Sequence, residues 1–285
     1  MAFLIIGTVP REDFPMIQGP AGLDEGFLSV DDQKISVARG TPALLAAALL
    51  TAQVLGIEAP AALLVGDIGS GKGCKKLYEH MVKEIRQREE NLLVFHYLQP
   101  DLDWHNKILL GLEEKEKMPL LVADAGYMYV AKMSGYAAVY DLFTPDAGEM
   151  AFLADERAPH PFYTRGFLLS DETRVPELIS RAYANENASK YLLVKGRHDY
   201  IACETGILAT VSEPCEEAME PIGGTGDSLT GIAAALIAAG HPIPQAAELA
   251  AKANRLMGKL ARPTPAFSIA DLLPFLTRAL EMVLE

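Results

Sequence analysis

The chain has 285 residues, half of them hydrophobic, enough to bury a sizeable core. A net charge of −13 with no basic stripe argues against nucleic-acid binding, which needs a basic face to neutralise phosphates. Cys74, Cys203 and Cys215 are odd in number and far apart, so reduced thiols in a cytoplasmic protein are expected rather than a disulfide framework or a zinc site.

The opening MAFLIIGTVP lacks the basic start of a signal peptide. The longest apolar runs, ALLAAALLTAQVLG and LTGIAAALIAAG, fall short of the roughly 20 residues that span a bilayer. They read as buried helices, and no membrane partner is expected. In chain order, FLIIG (3–7), AALLVGD (61–67), NLLVFHYL (91–98), PLLVADAG (119–126), VYDLFTP (139–145) and KYLLVKG (190–196) predict buried strands. Thr41 to Leu55 predicts a helix, with Pro42 in the first turn, where its missing N–H costs nothing. Lys75 to Glu89 carries Leu77, Met81, Val82 and Ile85 at helical spacing, and Val175 to Asn185 repeats that pattern. EEKEK (113–117) reads as a solvated helix end, and Thr144 to Gly166 as loop with a short helix. From Asp227 the chain reads as helical almost to its end. Strands alternating with helices predict one α/β domain over 1–285, with a mostly parallel central sheet and helices on both faces.

Three stretches carry candidate chemistry. GDIGSGKG (66–73) nearly fits the nucleotide loop G-x-x-x-x-G-K-[S/T], with Gly66, Gly71 and Lys72 in register. Gly73 stands where a hydroxyl would ligate Mg²⁺. LLVAD, ending at Asp124, is similar to the strand whose terminal Asp holds magnesium in such enzymes. The loop is therefore open to three readings: a triphosphate site, a contact for another ligand, or a glycine-rich turn at the edge of the sheet.

EPIGGTGDSLTGIAAALIAAG (220–240) places Gly223, Gly224 and Gly226 ahead of a small-residue helix. First-turn N–H groups have no intrahelical partner, and the helix end carries about half a positive charge, which together make an anion hole. Asp227 is either an N-terminal cap or the base that takes a hydroxyl proton during phosphoryl transfer. FTPDAGEMAFL (143–153) sets Asp146 and Glu149 three apart at a helix start, where they form a capping box or order water around Mg²⁺. The six histidines show no metal-ligand spacing, and His241 before Pro242 reads as a loop residue.

Taken together these segments resemble the ribokinase-like superfamily. The nearer match is its branch of ADP- or ATP-dependent NAD(P)H-hydrate dehydratases, related to carbohydrate kinases. The resemblance rests on VADAG (122–126), TPDAGE (144–149), LLVKG (192–196), GGTGDSLTG (223–231) and SIADLLPFL (268–276), in that order, and covers about residues 120 to 276. It implies a three-layer sandwich, ATP or ADP with Mg²⁺ as cofactors, a small-molecule substrate and a homo-oligomer. The implied reaction phosphorylates the hydroxyl of hydrated NADH or NADPH and then eliminates phosphate. By motif, Asp227 becomes the base and Gly224, Thr225 and Gly226 the anion hole. Lys195, Gly196 and Gly223 fall near the nucleotide, and Glu149 near magnesium. The loop bearing Gly66, Gly69 and Gly71 takes the place of a substrate loop, with Asp124 and Asp146 also facing substrate.

The chain departs from that pattern at Asp146, where the family has His, and at Gly126, where it has a second Asp. The Asn that usually follows is absent near Tyr129, and residues 74–119 read as extra material. Phosphate chemistry is untouched by these changes. The substrate is left open to another small hydroxylated metabolite, a sugar or vitamin precursor. A nucleotide-binding protein without turnover and a P-loop ATPase built on Lys72 remain further alternatives.

Overall fold

The computed structural model describes residues 1–24, 26–156 and 174–285. β1 (Phe3–Val9) leads into a meander of β2 (Ile17–Asp24), β3 (Phe27–Val30) and β4 (Gln33–Ser36). α1 (Thr41–Leu55) has the predicted bounds and stops at Gly56, whose left-handed φ of 63° turns its N–H back onto the last helical carbonyls. After β5 (Ala61–Gly66), α2 (Lys72–Glu84) starts three residues earlier than expected because Gly71, at φ 75°, turns the chain into the helix. β6 (Leu92–His96), α3 (Leu102–Glu113), β7 (Leu120–Asp124) and α4 (Gly126–Met133) continue the alternation. The solvated helix end at EEKEK is the C-terminus of α3. β8 (Leu142–Phe143) precedes α5 (Ala147–Ala154), the short helix expected after Thr144; the rest of that stretch, 157–166, lies outside the described residues. α6 (Val175–Ala184), β9 (Tyr191–Val194) and the pair β10 (Asp199–Cys203) and β11 (Gly206–Val211) follow. The chain ends in α7 (Thr225–Ala238), α8 (Ile243–Ala261), α9 (Ile269–Leu272) and α10 (Leu276–Leu284).

The strands form one sheet in the order β11-β10-β9-β8-β7-β6-β1-β5-β2-β3-β4. The six strands read from sequence are its parallel centre, from β9 to β5. The antiparallel edges were not read. β2 is half exposed and broken by Gly19, Pro20 and Gly22, and β11 is mostly exposed, so neither shows an apolar run. One expectation is corrected outright. Residues 74–119 are not additional: they supply β6, which lies mid-sheet and pairs in parallel with β1 and β7.

β1 alternates its side chains between two cores. Phe3 and Ile5 join the alanine-rich helices α1, α7 and α8, and Leu4 and Ile6 join α2 to α6 on the other face. α7 lies so close to α1 that a Cβ on Gly231 would sit 2.1 Å from the Leu44 carbonyl oxygen. One turn earlier on each helix, the same approach brings Asp227 to Gly40. Among the described residues no helix is long and apolar enough to cross a membrane.

Candidate active site

The carboxyl ends of β6, β7 and β9 meet the N-termini of α1, α5 and α7, the edge where open α/β sheets bind ligands. Asp227 stands in the first turn of α7. Its Oδ2 accepts from the Gly40 N–H at 2.7 Å, and its Oδ1 lies 3.1 Å from His96 Nε2. His96 is fully buried at the end of β6, with Nδ1 3.0 Å from Thr41 Oγ1. An ionised Asp227 can only accept, so Nε2 carries a proton, and in the neutral imidazole Nδ1 accepts from the Thr41 hydroxyl. Burial raises the Asp227 pKa. The His96 hydrogen bond, the Lys195 charge and the Gly40 N–H outweigh burial and hold it below the ordinary carboxylate value. The side chain keeps 12% of its surface exposed. Each oxygen retains a lone pair for a further donor.

Lys195 follows β9, and its Nζ donates to both oxygens of Asp124 at 3.0 Å. Burial works against its charge, but Asp124, Glu149 and Asp227 together raise its pKa, so it stays protonated. Thr230 of α7 donates to Asp124 Oδ2 at 2.6 Å, and the Ala125 N–H donates to Oδ1. Asp124 therefore does not face substrate, as the motif implied: it is 1% exposed and holds Lys195 in place. His96, Asp124 and Asp227 offer ligand atoms within 4.8 Å of one another, spacing that suits a metal ion. The Lys195 ammonium already supplies the cation beside this cluster.

The same ammonium lies alongside the start of α7, 3.8 Å from where a Gly226 Cβ would be. Gly224 takes the left-handed cap position at φ 104°. Gly223 is exposed beside it. Thr225, Gly226, Lys195, Gly196 and Asp146 line a cleft of about 860 Å³ that continues to Asn254. Its floor is fixed by Arg255, which pairs with Asp199 at 2.7 Å and donates to the Gly196 and Arg197 carbonyls.

Asp146 and Glu149 form the capping box of α5, and the Tyr129 hydroxyl donates to Glu149 Oε1 at 3.0 Å. Burial first, then the Asp146 charge, push Glu149 up to about 8, with Lys195 opposing. A hard carboxylate pair beside a cleft suits Mg²⁺, which keeps several waters and takes one or two carboxylates plus phosphate oxygens. The metal role implied for Glu149 thus fits this pair, with Asp146 on the cleft side. A raised folded-state pKa contributes stability below the unfolded value and loses it as pH rises through the folded value. The ligand-free protein is therefore expected to lose on the order of a few kcal/mol between about pH 4.5 and 8 at this group. Glu149→Gln should flatten that slope in urea titrations run across the window. An unchanged slope would mean that Glu149 ionises freely.

The 66–73 loop is occupied by its own side chain. Asp67 accepts from the N–H groups of Gly69, Gly71 and Cys74 at 2.8, 3.1 and 3.0 Å, the donors a phosphate would need. Burial raises the Asp67 pKa, and these N–H groups outweigh it and lower it overall. A Cβ on Gly73 would lie 2.0 Å from the Gly66 carbonyl oxygen, so no Ser or Thr fits there. Gly66 itself is packed against the Arg11 and Phe14 carbonyls. The substrate contact expected of Gly66 is corrected, since Gly66 is buried and is glycine for packing; Gly69 and Gly71 have their N–H groups engaged by Asp67, so neither offers one to a phosphate. Lys72 reaches out to Glu12 at 4.0 Å with 80% of its side chain exposed. Asp67→Ala is expected to cost about 1–3 kcal/mol in urea unfolding, and neither it nor Lys72→Ala should change nucleotide affinity. A loss of affinity in Lys72→Ala would restore the P-loop reading.

The family model described as NAD(P)H-hydrate dehydratase, of the carbohydrate-kinase group, matches residues 100–276. The chain belongs to this family. Membership makes it one of a group of enzymes of this kind. Uncharacterized protein MJ1337 of Methanocaldococcus jannaschii is 40% identical over 224 residues, covering 78% of this chain and 92% of that protein. A ribokinase-like superfamily protein from Enterococcus faecalis superposes with a TM-score of 0.60 at 14% identity, covering 99% of this chain and 87% of its own. The ADP/ATP-dependent NAD(P)H-hydrate dehydratase of Bacillus subtilis, co-crystallised with ATP/Mg²⁺, gives 0.57 at 15% identity, with 99% and 90% covered. The pyridoxal kinase of Staphylococcus aureus gives 0.55 at 12%, with 89% and 87% covered. These likenesses show a ribokinase-like α/β fold.

Sequence reasoning brought Asp227, Gly226 and Lys195 to one place. It missed His96, Thr41, Gly40 and Thr230, which hold Asp227 and Asp124. The one available signal was a histidine ending an otherwise apolar strand run.

Proposed function

We propose that this protein is a nucleotide- and Mg²⁺-dependent NAD(P)H-hydrate dehydratase built as a single three-layer domain. The observation that carries the reading is the convergence of Asp227, Lys195 and the first turn of α7 on the cleft edge. The terminal phosphate of ATP or ADP lies against the N–H groups of Thr225 and Gly226, where the helix end favours negative charge. Asp146 and Glu149 are the residues that would hold Mg²⁺, which would supply positive charge to the phosphate oxygens. Asp227 accepts a hydrogen bond from the acceptor hydroxyl and takes its proton as the new O–P bond forms and the nucleotide's terminal P–O bond breaks. A carboxylate of lowered pKa suffices, because a loose transition state asks for the proton late. Phosphate then leaves from the carbon that bore the hydroxyl, the neighbouring ring carbon gives up a proton to water, and the new C=C bond restores the dihydropyridine ring.

A kinase for another small hydroxylated metabolite is the second reading, and one observation favours it. The family's second Asp has no room at Gly126, where a Cβ would lie 2.4 Å from the Leu98 carbonyl oxygen. The deciding assay mixes the protein with hydrated NADH, Mg²⁺ and ATP or ADP and follows the dihydropyridine absorbance. Its recovery supports the dehydratase. Bound nucleotide with no recovery supports the kinase or a binding protein without turnover. A cytoplasmic homo-oligomer acting on a small molecule, away from nucleic acid and membrane, suits either reading.

A further inference from the structure

Two side chains outside the motifs stand beside the Gly40 turn that holds Asp227, and neither lines the nucleotide cleft. Arg39 immediately precedes Gly40, whose N–H holds Asp227. Its stem runs beside the glycine turn, with Cδ 3.6 Å from where a Gly223 Cβ would be. Arg39 is exposed and makes no ion pair among the described residues. In a chain of net charge −13, an unpaired guanidinium beside a helix start is a ready anion receptor.

Tyr97 directly follows His96. Its backbone is left-handed, at φ 52°, a conformation that costs a bulky residue energy and clusters at functional positions. The Thr8 hydroxyl donates to its carbonyl at 3.0 Å and holds the segment. The ring stands edge-on to His96 at 4.6 Å and lies 3.9 Å from where a Gly40 Cβ would be, yet the residue is 51% exposed. Burial and the charges of Asp227, Asp124 and Glu149 raise its phenol pKa, so it remains a neutral aromatic surface. Arg39 and Tyr97 thus share Gly40 as neighbour. Neither lines the cleft that takes in Thr225, Gly226 and Lys195.

We propose that Arg39 and Tyr97 select the acceptor: the substrate must carry a planar ring, which stacks on Tyr97, and an anionic group, which Arg39 binds, with its hydroxyl at Asp227. This rests on Asp227 being the base of the reaction proposed above. A neutral sugar meets neither requirement. Hydrated NADH meets both, through the planar conjugated edge of its ring and its diphosphate, and its product NADH shares these two features.

The test is equilibrium binding with ADP and Mg²⁺ saturating, so that the nucleotide cleft is filled. The probes are NADH, with ring and diphosphate, and reduced nicotinamide riboside, with the ring alone. Arg39→Gln should weaken NADH at least about tenfold and the riboside no more than about twofold. Tyr97→Leu should weaken both by about tenfold, and Tyr97→Phe neither, because stacking does not need the hydroxyl. The inference is overturned if Arg39→Gln binds NADH as the wild type does, loses both probes equally, or loses ADP instead. It is equally overturned if Tyr97→Leu is silent. Turnover of hydrated NADH by the wild type keeps the two failures apart. Turnover with silent variants sinks this assignment alone, whereas no turnover and no NADH binding sink the dehydratase reading and this assignment with it.

Discussion

Asp227→Asn is expected to lower turnover by at least about 10²-fold, the lower range for a lost acid–base group, while nucleotide affinity stays within a few-fold. The substitution isolates chemistry from architecture. Asparagine keeps a carbonyl oxygen for the Gly40 N–H. Its amide nitrogen then faces His96 Nε2, and the imidazole changes tautomer to donate from Nδ1 to Thr41 Oγ1. Every polar group in the chain Thr41–His96–Asp227–Gly40 stays paired, so stability should change little. What disappears is the negative charge that orients the acceptor hydroxyl and the site that receives its proton. Steady-state kinetics and calorimetric nucleotide titration of the same preparation check both halves. A variant that folds, binds and turns over normally would leave Asp227 only as the structural partner of Gly40 and His96.

Lys195→Met should be the most damaging change to stability in the site, at about 3–5 kcal/mol, because it strands a buried carboxylate. Asp124 is 1% exposed and would keep only Thr230, the Ala125 N–H and a distant His96. Restoring balance with Asp124→Asn should recover much of that loss, since Asn can still accept from Thr230 or the Ala125 N–H. The double variant should still bind nucleotide at least about tenfold more weakly, because the ammonium beside Gly226 is gone. Stability rescued without affinity would separate the structural task of Lys195 from its task toward phosphate. Affinity that returns together with stability would confine Lys195 to the former.

The sequence made the middle of this fold legible and its edges not. β1, β5, β6, β7, β8 and β9 are covered on both faces, so they read as short apolar runs. β2 to β4 and β11 are wet on one side, β3 and β4 are only four residues long, and β2 is broken by glycine and proline, so only pairing defines them. In the site, the glycines before Asp227 were readable because a helix start seldom needs three of them. His96 was not, because its partners lie 55 residues before it at Thr41 and 131 after it at Asp227. No local spacing encodes such a chain; only the topology of β6 between β1 and β7 does. The 66–73 loop misled for the opposite reason. Glycines and a lysine advertise an anion site, and the anion turns out to be Asp67, inside the motif itself.

The measurement that bears most directly on the account is a crystal structure of the protein soaked with ADP and Mg²⁺. The terminal phosphate is expected within about 3 Å of the Thr225 and Gly226 amide nitrogens, next to Lys195 Nζ, with Asp227 facing it from the first turn of α7. Phosphates seated instead on the loop from Gly66 to Gly73, or Asp227 turned away from any bound nucleotide, would contradict it.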